Sequence, residues 1–302
     1  MRAAPLFVLS APYSGAERVA ALLDVHPQLC ALPSLKLFMA DRVGELLDIQ
    51  QLGQGGVIDG LLRALAQLKF GAQSDGAVIA AREWLQQRAA EPVVTVLDTL
   101  AELAAPRRLV IPDAESPLRP NDLRRLREQV PDAQCIHLVR HPWSQGVIAA
   151  DRLGDRLFVP ADFKDHAMRP PLLDPQIVWL RAHRNLLDHL LAGLPAARAR
   201  QLRWEELAVE PAATLAAIFE WLGEDRLPLS DAALGDAGWC FAGYGPAEAP
   251  YGLDHEMLEE IPERTLDDAF AAPSLDRPLP WRPDGLKFAA PVRALAGQFG
   301  YG

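Results

Sequence analysis

The segment from Pro5 to Arg18 constrains this chain more than any other. Leu6, Phe7, Val8 and Leu9 are four successive apolar residues, as a strand buried on both faces requires. Ser10 to Gly15 then supply a turn, and Ala16, Glu17 and Arg18 open a helix. Such a turn leaves backbone N–H groups at a helix N-terminus, where an anion can sit. Yet Glu17 falls in that first turn, so the cradle predicted for an anion carries a carboxylate of its own.

Beyond this segment, helical and strand patterns alternate. The spacing predicts helices over Arg18 to Leu23, Ser34 to Leu47, Gly60 to Leu68, Ala80 to Arg88 and Thr95 to Leu103. Strands are predicted at Leu109 to Ile111, Cys135 to Val139 and Gln201 to Trp204. Asn121 is read as the N-cap of a helix. Further helices are expected through Ile148 to Leu153, over Asp174 to Leu191, from Glu210-Pro211 to Leu222 with Gly223 closing it, and over Pro291 to Phe299. The fold class expected is α/β, a central parallel sheet flanked by helices with a helical cover. One domain spans residues 1–302, with a helical cover at roughly 35–105 and an irregular segment with a last helix over 226–302.

With 302 residues, half of them hydrophobic, the chain can bury a large core. A net charge of -10 argues against nucleic acid or an anionic membrane as partner. Cys30, Cys135 and Cys240 have no close spacing and are read as reduced, buried thiols of a cytoplasmic protein. The N-terminus lacks a secretory signature, and no run is long enough to span a membrane. The seven histidines show no pair at metal-ligand spacing, and Asp254-His255-Glu256 is read as a solvated helix start, so no metal is expected. A hydrolase elbow, a dinucleotide fingerprint and a Walker loop are all missing from the sequence. His137 reads as a satisfied core histidine, and His141 as a turn residue before Pro142.

Four segments in order resemble one family, the sulfotransferases that use 3′-phosphoadenosine 5′-phosphosulfate (PAPS), and above all the bacterial sulfotransferase domains of polyketide and nonribosomal-peptide pathways. Pro5 to Pro12 with Ser14-Gly15 resembles the first strand and phosphosulfate loop. Asp24 to Pro27 with Leu32-Pro33 resembles the segment that follows. Ile136 to Pro142 resembles the strand that leads to the 3′-phosphate. Trp179 to Asn185, Leu202 to Leu207 and Glu210 to Gly223 resemble the later helix, strand and helix. The likeness covers roughly residues 5–225. It implies that Ser14, Gly15 and Arg140 are the relics of a cofactor site.

Other family positions carry different chemistry. Tyr13 stands where the family has a basic residue, Ala16 and Glu17 where it has hydroxyl donors, Glu115 at a second basic position, and Ile148 where a serine is expected. A lost neutral donor costs about 1–3 kcal/mol. A carboxylate facing a phosphate charge at ~4 Å costs about 4 kcal/mol at an effective dielectric of 20. Sulfuryl transfer, like phosphoryl transfer, needs positive charge around the moving group. No cofactor is therefore expected, or PAPS if the family reaction is kept through an atypical loop. Glu17, Glu115 and Tyr13 become candidate catalytic groups for acid–base chemistry on a small-molecule or carrier-protein-bound acyl or peptidyl intermediate. For each there is a plainer reading: Glu17 as a first-turn acid favoured by the helix dipole, Glu115 as a solvated loop acid, Tyr13 as a filler of emptied space. A non-catalytic binding or scaffold role also stays open.

Overall fold

A computed structural model describes residues 3–52, 56–154, 159–230, 234, 238–253 and 274–302. Asp254, His255 and Glu256 lie outside the described residues.

The chain opens with strand β1 (Leu6–Leu9) and helix α1 (Ala16–Leu23), followed by β2 (Leu29–Ala31). Four helices come next: α2 (Val43–Leu52), α3 (Asp59–Phe70), α4 (Asp75–Gln86) and α5 (Val94–Ala104). Then come β3 (Arg108–Asp113), α6 (Pro120–Gln129), β4 (Gln134–Val139) and α7 (Pro142–Gly154). A two-strand pair, β5 (Lys164–Asp165) with β6 (Leu172–Leu173), precedes α8 (Pro175–His189). The series continues with β7 (Ala199–Arg203), α9 (Trp204–Val209) and α10 (Pro211–Leu222), and α11 (Ala290–Gln298) ends it.

Five strands form one sheet in the order β2-β3-β1-β4-β7, every neighbouring pair parallel. The apolar run Leu6–Leu9 takes the centre because each of its residues is fully buried between the two helical layers. Asp113, Arg140 and the loop after Leu9 therefore meet at the carboxyl edge, where open α/β sheets keep their ligands.

Several expected boundaries move. The helix expected over Ser34 to Leu47 is a short 3-10 turn, Leu37–Met39, followed by α2 from Val43. Lys36 takes a left-handed φ of 51°, which interrupts the helical run. Asn121 is not the N-cap of α6: Arg119 holds that place, and Pro120 begins the helix with its φ already suited to it. Helix α4 starts earlier than Ala80, because the Ser74 hydroxyl accepts the Ala77 N–H at 3.3 Å and caps it at Asp75. Trp204 belongs to α9, not to the strand before it. Strand β2 carries no pattern beyond three small or apolar residues and escaped the sequence reading. Cys30 and Cys135 are buried, but Cys240 is exposed, contrary to the expectation for all three. Gly223 does close α10, with φ 76°.

The last described segment straps the carboxyl side of the sheet. The Arg282 guanidinium, with no exposed side-chain surface, pairs with Asp165, Asp174 and Asp284. Phe299 packs edge-on against His137, Trp179 and His183. His137 and His183 share a ring-to-ring hydrogen bond of 2.8 Å, and burial pushes the His137 pKa down to about 4, so both rings are neutral at pH 7. Among the described residues no helix is long and apolar enough to cross a membrane, and no cluster of three metal-binding side chains occurs.

Candidate functional site

The loop between β1 and α1 turns sharply at Tyr13 (φ 63°) and Gly15 (φ 85°). Gly15 is the N-cap of α1 and offers no side chain to the helix end. A glycine is needed here for two reasons. Its φ is left-handed, and a Cβ would stand 2.7 Å from Cζ3 of Trp204. The Trp204 indole thus lies directly on the Gly15 backbone.

The same indole covers Arg140. The guanidinium carbon lies 4.9 Å from the ring centroid, within cation–π range. Arg140 is 1% exposed, donates from Nε to the Ser144 hydroxyl at 2.9 Å and from Nη1 to the Tyr13 carbonyl at 3.4 Å. Ser144 reaches it because α7 begins directly after the Arg140-His141 turn. The Trp179 indole N–H donates to the Arg140 carbonyl at 2.9 Å, fixing the end of β4. Gln145, also on α7, donates to the Pro12 carbonyl at 2.8 Å and ties the helix to the loop. Tyr13 turns its ring against Phe163, edge to face at 5.8 Å.

Of the sequence-predicted residues, Tyr13, Ser14, Gly15 and Arg140 come together here. Glu17 follows on the first turn of α1 and is 3% exposed. Its charge reaches Arg63 of α3, where it opposes the lowering that burial imposes on that guanidinium. Glu115 is not brought into this group: its carboxylate pairs with Arg119 at 2.8 Å, and its side chain is 28% exposed. The buried acid at the end of β3 is Asp113, which accepts the Ser116 hydroxyl at 2.5 Å and the amides of Glu115 and Ser116. Burial pushes the Asp113 carboxyl up, against the pull of those donors. Asp122, on α6, is pushed up to about 6, chiefly by burial. Ile148 is fully buried on α7.

His141 serves the turn. Its backbone N–H donates to Glu205 at 2.8 Å, and its Nδ1 accepts the Trp143 N–H at 3.2 Å. Burial lowers its pKa, with Glu205 opposing, so the ring is neutral at pH 7. The Tyr301 hydroxyl donates to the other Glu205 oxygen at 2.6 Å. His141, Arg203, Glu205 and Tyr301 line one side of a groove of about 650 Å³. Ser144, Gln145, Trp204 and Glu205 were missed in the sequence. Only the four-residue step from Arg140 to Ser144 carried a readable signal, since residues so spaced across a helix start share a face.

An anion-cradle loop after the first strand, a buried arginine after the fourth and an all-parallel sheet define the sulfotransferase type of α/β protein. Residues 5–228 match the sulfotransferase family, and the chain belongs to it. Its structure is similar to the sulfotransferase domain of the Synechococcus PCC 7002 olefin synthase, with a TM-score of 0.72 and 24% identity over 100% of this chain and 97% of that one. It is equally similar to the sulfotransferase domain of the curacin biosynthetic pathway, with a TM-score of 0.72 and 22% identity over 99% and 98%. Among curated protein sequences none gives a significant match.

Proposed function

We propose that this sulfotransferase-family protein works without PAPS, on an intermediate of bacterial biosynthetic type held by a carrier protein or free in the cytoplasm. The observation that carries this reading is the position of Trp204. Its ring lies on the Gly15 backbone and over Arg140, where phosphate oxygens would need to reach both. Arg140 is meanwhile engaged with Ser144 and the Tyr13 carbonyl. Glu17, buried in the first turn of α1, adds a carboxylate where the helix dipole would otherwise welcome an anion. Each of these opposes a phosphosulfate, and a repulsive contact of about 4 kcal/mol outweighs a single hydrogen bond of about 1–3 kcal/mol.

In this reading Glu17 is the acid–base group. It is buried in the first turn of α1, directly after the loop at the carboxyl edge of the sheet. Tyr13 shapes the wall through its contact with Phe163. The second acid of the pair first expected, Glu115, is held by Arg119. That pairing favours a second reading, in which the protein binds an intermediate or a pathway partner without turning it over.

Calorimetric titration with 3′-phosphoadenosine 5′-phosphate, the nucleotide product of sulfuryl transfer, tests the proposal. No saturable heat at micromolar nucleotide is expected. Tight binding would sink it and favour PAPS-dependent transfer through an atypical loop.

A further inference from the structure

A small pocket lies at the amino end of strand β4, at the opposite end of that strand from Arg140. Its volume is about 210 Å³, and it sits between α6, the end of α8 and the turn that leads into β7. Leu126 and Val130 of the α6 side, Leu190 and Leu194 of the α8 side, and Cys135 of β4 line it. Among the described residues, the charged side chains that line it are both cations, Arg127 and Arg198. That is notable in a chain of net charge -10.

Both guanidiniums are held by backbone carbonyls. Arg127 donates from Nη1 to the His189 carbonyl at 3.2 Å. Arg198 donates from Nε and Nη2 to the Ala133 carbonyl at 3.1 and 3.0 Å. Among the described residues neither pairs with a carboxylate, whereas Arg124, one turn before Arg127, pairs with Glu128 at 2.7 Å. Most of the N–H donors of Arg127 and Arg198 are therefore unspent. The Arg198 charge reaches Cys135, where it opposes the rise that burial imposes on that thiol.

These features select a kind of ligand. Apolar walls reward an alkyl chain. Two fixed cations with no acid beside them reward an anion, and a planar carboxylate matches the guanidinium fork. An apolar cavity of about 150 Å³ holds benzene, so this pocket has room for a chain of about six to eight carbons.

We propose that the pocket binds an aliphatic monocarboxylate of that length, its chain against Leu126, Val130, Leu190 and Leu194 and its carboxylate on Arg127 and Arg198. The site is separate from the loop after β1 and stands whether or not that loop takes a nucleotide.

Octanoate is the probe, titrated calorimetrically into the full chain. Acetate, which has the charge without the chain, and 1-octanol, which has the chain without the charge, are titrated beside it. Saturable binding of octanoate is expected, with both companions weaker by about tenfold or more. Arg127→Gln and Arg198→Gln should each weaken octanoate about tenfold, the loss of one charge-assisted hydrogen bond. If Arg198→Gln fails to fold, Arg127→Gln, which gives up a single backbone contact on an exposed side chain, decides alone. Absence of octanoate binding overturns the proposal. Octanoate binding that neither substitution weakens puts the molecule in another groove and also overturns it. Acetate or 1-octanol binding as tightly as octanoate does the same, because chain and charge would then not act together.

Discussion

The indole of Trp204 lies over the guanidinium of Arg140, 4.9 Å from ring centroid to guanidinium carbon, and its benzene edge rests on Gly15. One aromatic side chain from the start of α9 thus closes over the loop after β1 and the arginine after β4. A residue from a third element touches both the loop and the arginine.

This arrangement makes Gly15 intolerant of substitution. Gly15→Ala combines a left-handed φ of 85° with a Cβ placed 2.7 Å from the Trp204 ring. Overpacking of this kind costs about 1–3 kcal/mol. The melting temperature should fall, and Trp204→Ala in the same chain should recover part of the loss. A melting curve unchanged by Gly15→Ala would mean that the loop and the indole are not in contact.

Restoring charge should restore some nucleotide affinity. The triple change Tyr13→Arg, Glu17→Thr and Glu115→Lys puts cations and a hydroxyl at the positions where the family resemblance expects them. Calorimetry with 3′-phosphoadenosine 5′-phosphate should then detect weak binding, and adding Trp204→Ala should strengthen it. If the fourfold variant still gives no heat, the backbone of the loop has itself moved away from nucleotide geometry.

Glu17 separates chemistry from structure. Glu17→Gln keeps the size and removes the charge. A working acid–base group should lose turnover by about 10²–10⁴-fold on the pathway intermediate. The melting temperature should shift little, since the amide can occupy the same space. Full turnover by the variant would leave the non-catalytic reading as the better one.

The paired imidazoles make stability pH-dependent in a definite direction. His137 titrates near 6.5 in the unfolded chain and at about 4 when folded. The unfolded state therefore binds more protons in that window, and stability should fall as pH drops from about 6.5 towards 4. Asp122, raised from 3.8 to about 6, acts the opposite way and loses its contribution as pH rises through that range. Denaturant midpoints measured across pH 4–7 should show the fall more steeply in Asp122→Asn. In a chain with both His137→Leu and His183→Leu the fall should flatten. A level profile in Asp122→Asn, where the opposing carboxyl is removed, would contradict the neutral histidine pair.

The strand, the turn and the helix start of the first segment were legible in the sequence because each follows from local chemistry. Four apolar residues can only be buried, and a glycine before a helix tolerates the left-handed turn that L residues resist. The order of motifs that identified the family is likewise a linear property, and so is the identity of the residues at Tyr13, Glu17 and Ile148. The fate of Glu115 was not legible. A carboxylate four residues from Arg119 can pair with it or face a cleft, and only the chain's path after β3 selects the pairing. Trp204 was hidden for a stronger reason. It stands 189 residues beyond Gly15 in sequence, and nothing local to either residue announces the other. Parallel sheets bring such residues together through crossovers, so the contact exists only once β7 has docked beside β4 and α9 has turned back over the loop. Local patterning determined which elements form and which family they resemble. What covers the arginine was decided by packing between elements distant in the chain.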